Sequence, residues 1–110
     1  NPMAAKGQVE GAIVQGMGYA LLEKFVGPES PPITNLLDYL LPTSLDIPTL
    51  DPMFIETEDP HGPFGAKGVG ELPMDVPAPA IAAAIFHATG LWIAELPILP
   101  EKLYEAKYRS

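Results

Sequence analysis

No proline interrupts the chain from Ala4 to Phe25, and Val9, Ile13, Met17 and Ala20 gather on one side of a wheel drawn at about 100° per residue. This spacing predicts a helix over 4–25 with one apolar face. On the same wheel Gly7, Gly11 and Gly18 fall within about 40° of one another, and Gln15 lies about 40° beyond Gly11. One strip of the helix is therefore bare backbone with an amide beside it. An interior glycine costs a helix about 1 kcal/mol relative to alanine, so a strip of them implies a close approach to the backbone. The neighbour is either another helix or strand, or a bound ligand.

Pro28, Pro31 and Pro32 break the pattern and predict a surface loop over 27–32. Residues 36–41 are apolar around Asp38 and end at Pro42; Pro48 and Pro52 keep the following path extended. Met53 to Glu58 alternates apolar and polar, which predicts a strand. His61 to Glu71 is rich in glycine and predicts a loop, the kind of segment on which chemistry is usually placed. Beyond it, Asp75 is the expected N-cap of a helix with Pro77 and Pro79 in its first turn, continuing over 81–89 and closed by Gly90. A second short strand is expected over 92–96, and a last helix over 101–108 enters through Pro100. The predicted fold class is α+β: a long N-terminal helix, short strands, a glycine-rich loop and C-terminal helices.

At 110 residues and 47% hydrophobic composition, the chain holds enough apolar material for one core and one domain. Its start at Asn1-Pro2 rather than Met predicts a mature product or a segment of something longer. Fourteen acidic against six basic residues give a net charge of -8, which argues against nucleic acid and anionic membrane surfaces as partners. The absence of cysteine excludes disulfides, thiolate metal sites and iron–sulfur ligation within these residues. The strongly apolar run over 78–86 is about half the ~20 residues that span a bilayer.

The most specific chemical feature is the run from Gly62 through Pro63, Phe64, Gly65, Ala66, Lys67, Gly68, Val69 and Gly70 to Glu71. Its glycines permit backbone N–H groups to converge on an anion or polar ligand, Lys67 adds a cation, and Glu71 supplies an acceptor or base. A nucleoside triphosphate loop would carry Ser or Thr after the lysine, where this chain has Gly68. On residue chemistry alone, Glu71 reads first as a solvated carboxylate or a helix-entry residue, and as a base only if it is enclosed. Glu56, Glu58, Asp59 and His61 read as an acidic turn rather than a metal site, His87 as a core or edge histidine, and Trp92, Tyr104 and Tyr108 as packing residues.

The run from Gly65 to Glu71 resembles the signature loop of molybdenum hydroxylase large subunits of the xanthine dehydrogenase and aldehyde oxidase family. Further segments resemble that family in order: Gly7-Gln8-Val9-Glu10-Gly11-Ala12-Ile13-Val14-Gln15-Gly16-Met17-Gly18, its glycine-rich helix; Asp38 to Thr43 with Asp46-Ile47-Pro48, its linking segment; and Leu96-Pro97 with Pro100-Glu101-Lys102, its C-terminal end. The likeness covers nearly all 110 residues, as the C-terminal part of the molybdopterin-binding domain. It implies a molybdenum–pyranopterin cofactor, as such or as a dinucleotide, and hydroxylation of an aromatic heterocycle or aldehyde with oxygen from water. Glu71 is implied as the general base, with Gln15, Lys67, Gly68, Val69 and Gly70 at the cofactor and no protein ligand to the metal in this chain. The implied partners are the remainder of the large subunit, 2Fe-2S and FAD modules on other domains or subunits, and the small-molecule substrate, in the cytoplasm. Gly62-Pro63-Phe64-Gly65 leans toward the xanthine dehydrogenase branch over the carbon monoxide branch. The chain by itself is expected to be inactive. Two other classes stay open: an interaction or scaffold domain that keeps the fold without redox chemistry, and a phosphate- or nucleotide-binding module resting on the loop and Lys67.

Overall fold

The computed structural model describes residues 1–24, 26–31 and 33–109. Asn1 starts helix α1 (Pro2–Leu21): its side chain accepts from the Ala4 N–H at 3.2 Å, and Pro2 occupies the first turn, where no N–H is needed. The helix begins two residues before the predicted start and ends at Leu21, where the Gly18 carbonyl accepts from the N–H groups of Leu22 and Glu23 at 2.9 and 2.8 Å. Phe25, the predicted end, lies outside the described residues, as does Pro32 in the predicted loop.

Two further helices, α2 (Leu72–Asp75) and α3 (Pro77–Thr89), follow the glycine-rich loop and pack on α1. Gly16 sets the distance of approach. A Cβ at this position would stand 2.8 Å from the Met74 carbonyl oxygen and 2.8 Å from Cγ of Pro77, so neither helix could lie where it does beside an alanine. Ala12, Gly16 and Ala20 are the buried stripe of α1, and Pro77 and Ala78 are its buried counterparts on α3. Small residues on both sides let the backbones come close, and dispersion between near-bare helices does the packing. The stripe is rotated by about 50° from the face that Val9, Ile13, Met17 and Ala20 predict; Val9, Ile13 and Met17 are only half-buried.

Asp75 ends α2 instead of capping α3, whose N-cap is Val76, and Gly90 closes α3 as expected with φ 73° and its N–H on the Phe86 carbonyl at 2.7 Å. The last helix, α4 (Pro100–Tyr108), enters through Pro100. Just before it the chain crosses the end of α1: the Ile98 N–H donates to the Ala20 carbonyl at 2.7 Å, and Ile98 is only 3% exposed.

The expectation of an α+β fold is corrected. Among the described residues there is no strand, and the regular structure is helical. Residues 53–58 and 92–96 carry strand-like patterns, but a strand exists only where a neighbour pairs with its N–H and C=O groups in a ladder, and among the described residues neither segment forms one. Alternation at 53–58 instead leaves Met53 and Ile55 each 88% exposed.

The accessible surface is 8826 Å², where about 5900 Å² is usual for a folded monomer of this mass. The radius of gyration is 17.3 Å, against about 13 Å for a compact chain of this length. The buried hydrophobic residues are Ala12, Ala20, Ala78 and Ile98, three of them alanines. An apolar trough of about 520 Å³ lies open between α1 and α3, lined by Ile13, Met17, Leu50, Val76, Ala80 and Ile81. A core this thin leaves much of the apolar area exposed.

The linking segment is held by local turns. Asn35 accepts from the N–H groups of Leu37 and Asp38 at 2.9 and 3.1 Å. Asp46 accepts from both the N–H and the hydroxyl of Thr43 at 2.7 Å, and its own N–H returns to the Thr43 carbonyl at 3.0 Å. These bonds hold the Asp46 carboxyl below the ordinary value of 3.8, the hydroxyl contributing most. The Tyr39 phenol donates to Glu23, which raises its pKa above 10.0.

Two outcomes follow. Gly16→Ala destabilises the chain by about 1–3 kcal/mol through overpacking against a carbonyl and a proline ring that cannot yield, read as a lowered urea midpoint. Because the Asp46 value is depressed, the turn is at full strength above the ordinary carboxyl value and loosens as pH falls through the lowered one. In an NMR acid titration Thr43→Val moves the Asp46 midpoint upward toward 3.8.

Candidate functional site

The glycine-rich loop is built in two parts. Its first part folds on itself: the Gly62 N–H donates to the Asp59 carbonyl, the Gly65 N–H to Gly62 and the Ala66 N–H to Pro63, at 3.2, 3.1 and 3.1 Å. Residues Pro63–Gly65 form a single 3-10 turn, with Phe64 at φ 55° and fully exposed and Gly65 at φ 77°. Gly62 is required by space, since a Cβ there would collide with the Ala66 carbonyl. After this turn the backbone extends from Ala66 toward Glu71.

The second part lies along α1. The Gln8 side-chain amide donates to the Gly70 carbonyl at 3.2 Å, and four residues on, the Met74 carbonyl meets Gly16. Gln8 and Gly16 are separated by about 12 Å along the helix axis. Glu71 is carried between these two points, with its carbonyl accepting from the Met74 N–H at 2.9 Å as α2 begins. Its carboxylate caps no helix N–H and is exposed to solvent. The Lys67 ammonium donates to the Thr57 hydroxyl, tying the loop to the extended segment before it. A cleft of about 660 Å³ runs along this junction, lined by Ala5, Ile55, Lys67, Gly68, Val69 and Leu72.

Each residue named from sequence has a clear place. Gln15 is exposed on α1; Lys67, Gly68, Gly70 and Glu71 are exposed on the loop, and Val69 is half-buried. Among the described residues no hydrogen bond joins Gln15 to Glu71, though both belong to elements that meet at α1. The glycines divide by surroundings: a Cβ on Gly7, Gly11, Gly68 or Gly70 would meet nothing within 4 Å, whereas Gly16 and Gly18 are filled against α2, Pro42 and Glu23. At the first four the chain's own packing therefore leaves room for a side chain. Gln8 is the participant that sequence reasoning left without a role; it lies about 20° from Gln15 on the wheel, which is the signal that could have found it.

The remaining candidates stand apart. The Asp59 side chain accepts from the His61 N–H at 2.9 Å, and among the described residues no three His, Asp or Glu side chains gather as a metal-ligand set. His87 is exposed in the last turn of α3. Trp92 meets Phe86 edge-on at 5.6 Å, and Tyr104 meets Tyr108 at 4.9 Å. Among the described residues no helix is long and apolar enough to cross a membrane.

Comparison with known proteins agrees with this anatomy. A family model described as a molybdopterin cofactor-binding domain matches residues 1–48, the whole of α1 and the segment after it. The putative xanthine dehydrogenase molybdenum-binding subunit of Escherichia coli (strain K12) is 41% identical over 108 residues, covering 96% of this chain and 14% of that protein. The aldehyde oxidoreductase of Megalodesulfovibrio gigas is 43% identical over 107 residues, covering 96% and 12%. The crystal structure of the Cu,Mo-CO dehydrogenase in its carbon monoxide reduced state superposes with a TM-score of 0.84 at 26% identity, over 99% of this chain and 14% of that one. Over nearly its whole length the chain is thus similar to a segment of the molybdenum-binding subunits of the xanthine dehydrogenase and aldehyde oxidoreductase family, and it spans about one-seventh of the first of these relatives.

Gly11 provides a direct test of what the open glycines serve. In the chain alone Gly11→Ala raises stability by up to about 1 kcal/mol, because helix propensity improves and nothing is struck. In the full-length parent the same change lowers molybdenum content, measured by elemental analysis of purified protein.

Proposed function

We propose that this chain supplies one wall and the general base of a molybdenum–pyranopterin site, in an enzyme that hydroxylates an aromatic heterocycle or an aldehyde with oxygen from water. The observation that carries the reading is the position of Glu71, held along α1 between Gln8 and Gly16 and next to glycines whose Cβ positions are open. The residues fit such a group. Bare backbone at Gly7, Gly11, Gly68 and Gly70 admits a flat polar cofactor edge, Gln15 offers an amide, and Lys67 brings a cation beside a pterin that carries phosphate. When bound, the cofactor accepts the two electrons of the oxidation and provides the centre at which water-derived oxygen is activated.

The chain's own part is proton transfer and placement. Glu71 as carboxylate would accept the proton of the water-derived oxygen destined for the substrate carbon, and the C–H bond broken at that carbon would give up its two electrons to the bound cofactor. Lys67 and the peptides from Gly68 to Gly70 would hold the cofactor edge, with Gln15 offering an amide to it from α1. Excluding water falls to other parts of the subunit, since Glu71 is exposed here. Iron–sulfur and flavin groups that carry the electrons onward also reside elsewhere, on domains or subunits that possess the cysteines this chain lacks.

Glu71→Gln in the full-length parent keeps size and removes the base. Turnover on purines, nicotinate or aldehydes falls by about 10²–10⁴-fold, the usual contribution of a positioned base, while molybdenum content is unchanged. Undiminished turnover in a fully loaded variant would refute the assignment. The 110-residue chain assayed in parallel shows no turnover.

A further inference from the structure

Gln8 is exposed on α1, yet its amide reaches the Gly70 carbonyl at 3.2 Å across 62 positions of sequence. The stretch it reaches has few other restraints. Residues 62–66 close on themselves, and α2 begins at Leu72. Between them, a Cβ on Gly68 or Gly70 would touch nothing within 4 Å, so neither packing nor side-chain bulk fixes the backbone. Among the described residues the side-chain hydrogen bonds to residues 67–71 are two: Lys67 to Thr57, and Gln8 to Gly70.

The second of these acts on a particular peptide. The Gly70 carbonyl belongs to the same rigid plane as the nitrogen and Cα of Glu71. Glycine on the near side of that plane turns more freely than any other residue. Holding the carbonyl oxygen therefore fixes the N–Cα bond of Glu71, and with the rotation about that bond set by the start of α2, the direction in which its side chain leaves the backbone. We propose that Gln8 is a positioning residue for this family's reaction: its amide pins the Gly70–Glu71 peptide to α1 and so aims the Glu71 carboxylate. The proposal rests on the reading of Glu71 as the base. Its energetic logic is that a single exposed hydrogen bond contributes little to global stability, whereas displacing a reacting group by about 1 Å costs about 10²-fold in rate.

Two variants of the full-length parent separate aiming from mere scaffolding. Gln8→Glu keeps the length but replaces the donor with a carboxylate facing a carbonyl; Gln8→Lys keeps a donor of similar reach. Amide hydrogen exchange at residues 68–71 and steady-state kinetics are read on the same molybdenum-loaded preparations. In Gln8→Glu exchange accelerates about fivefold and kcat falls by about 10–10²-fold, with KM and metal content unchanged. Gln8→Lys restores both readouts to within about threefold of the parent, as a retained donor requires. Unchanged exchange in Gln8→Glu would show that the bond does not hold the loop and would overturn the proposal. Faster exchange with undiminished kcat, or equal damage in both variants, would overturn it as well. A silent Glu71→Gln variant is a separate outcome: it removes the base itself, and is read without reference to Gln8.

Discussion

Everything in this chain is referred to the contact at Gly16. There α1 presents bare backbone to the Met74 carbonyl and the Pro77 ring, and a single added carbon would push α2 and α3 away. Because α2 is only four residues long and begins directly after Glu71, the position of the helix start is also the position of the candidate base. Close packing and the placement of Glu71 are therefore one constraint. Gln8 adds the second fixed point two turns earlier, and the segment that carries Glu71 is strung between them.

The glycines of α1 answer to two different demands. Gly16 and Gly18 are small because neighbours within the chain fill the space, whereas Gly7 and Gly11 face nothing in it. Helix propensity disfavours all of them equally, and for the second pair no packing within the chain offsets that cost. The loop glycines are open as well, Met53 and Ile55 are exposed, and the accessible surface is well above that of a closed monomer. The chain is thus an open arrangement of helices with much apolar surface exposed, and it matches 14% of the length of a molybdenum-binding relative.

Sequence alone determined the long first helix, its glycine strip, the loop ending in Glu71, the Gly90 stop and the Pro100 entry to α4, because each depends on local backbone preference or on a motif read in order. The family was legible for the same reason, through the residues from Gly65 to Glu71 and from Gly7 to Gly18. Tertiary structure decided what local rules cannot reach. Alternation at residues 53–58 and 92–96 predicted strands, but strand formation depends on a partner's hydrogen-bonding groups, and among the described residues none is supplied. The wheel could show that glycines shared a face but not which would be filled, since that depends on where α2 and α3 dock. Gln8 carries no distinguishing signal in sequence beyond its place near Gln15 on the wheel, because its hydrogen-bond partner is a carbonyl 62 residues away that only folding brings within 3.2 Å.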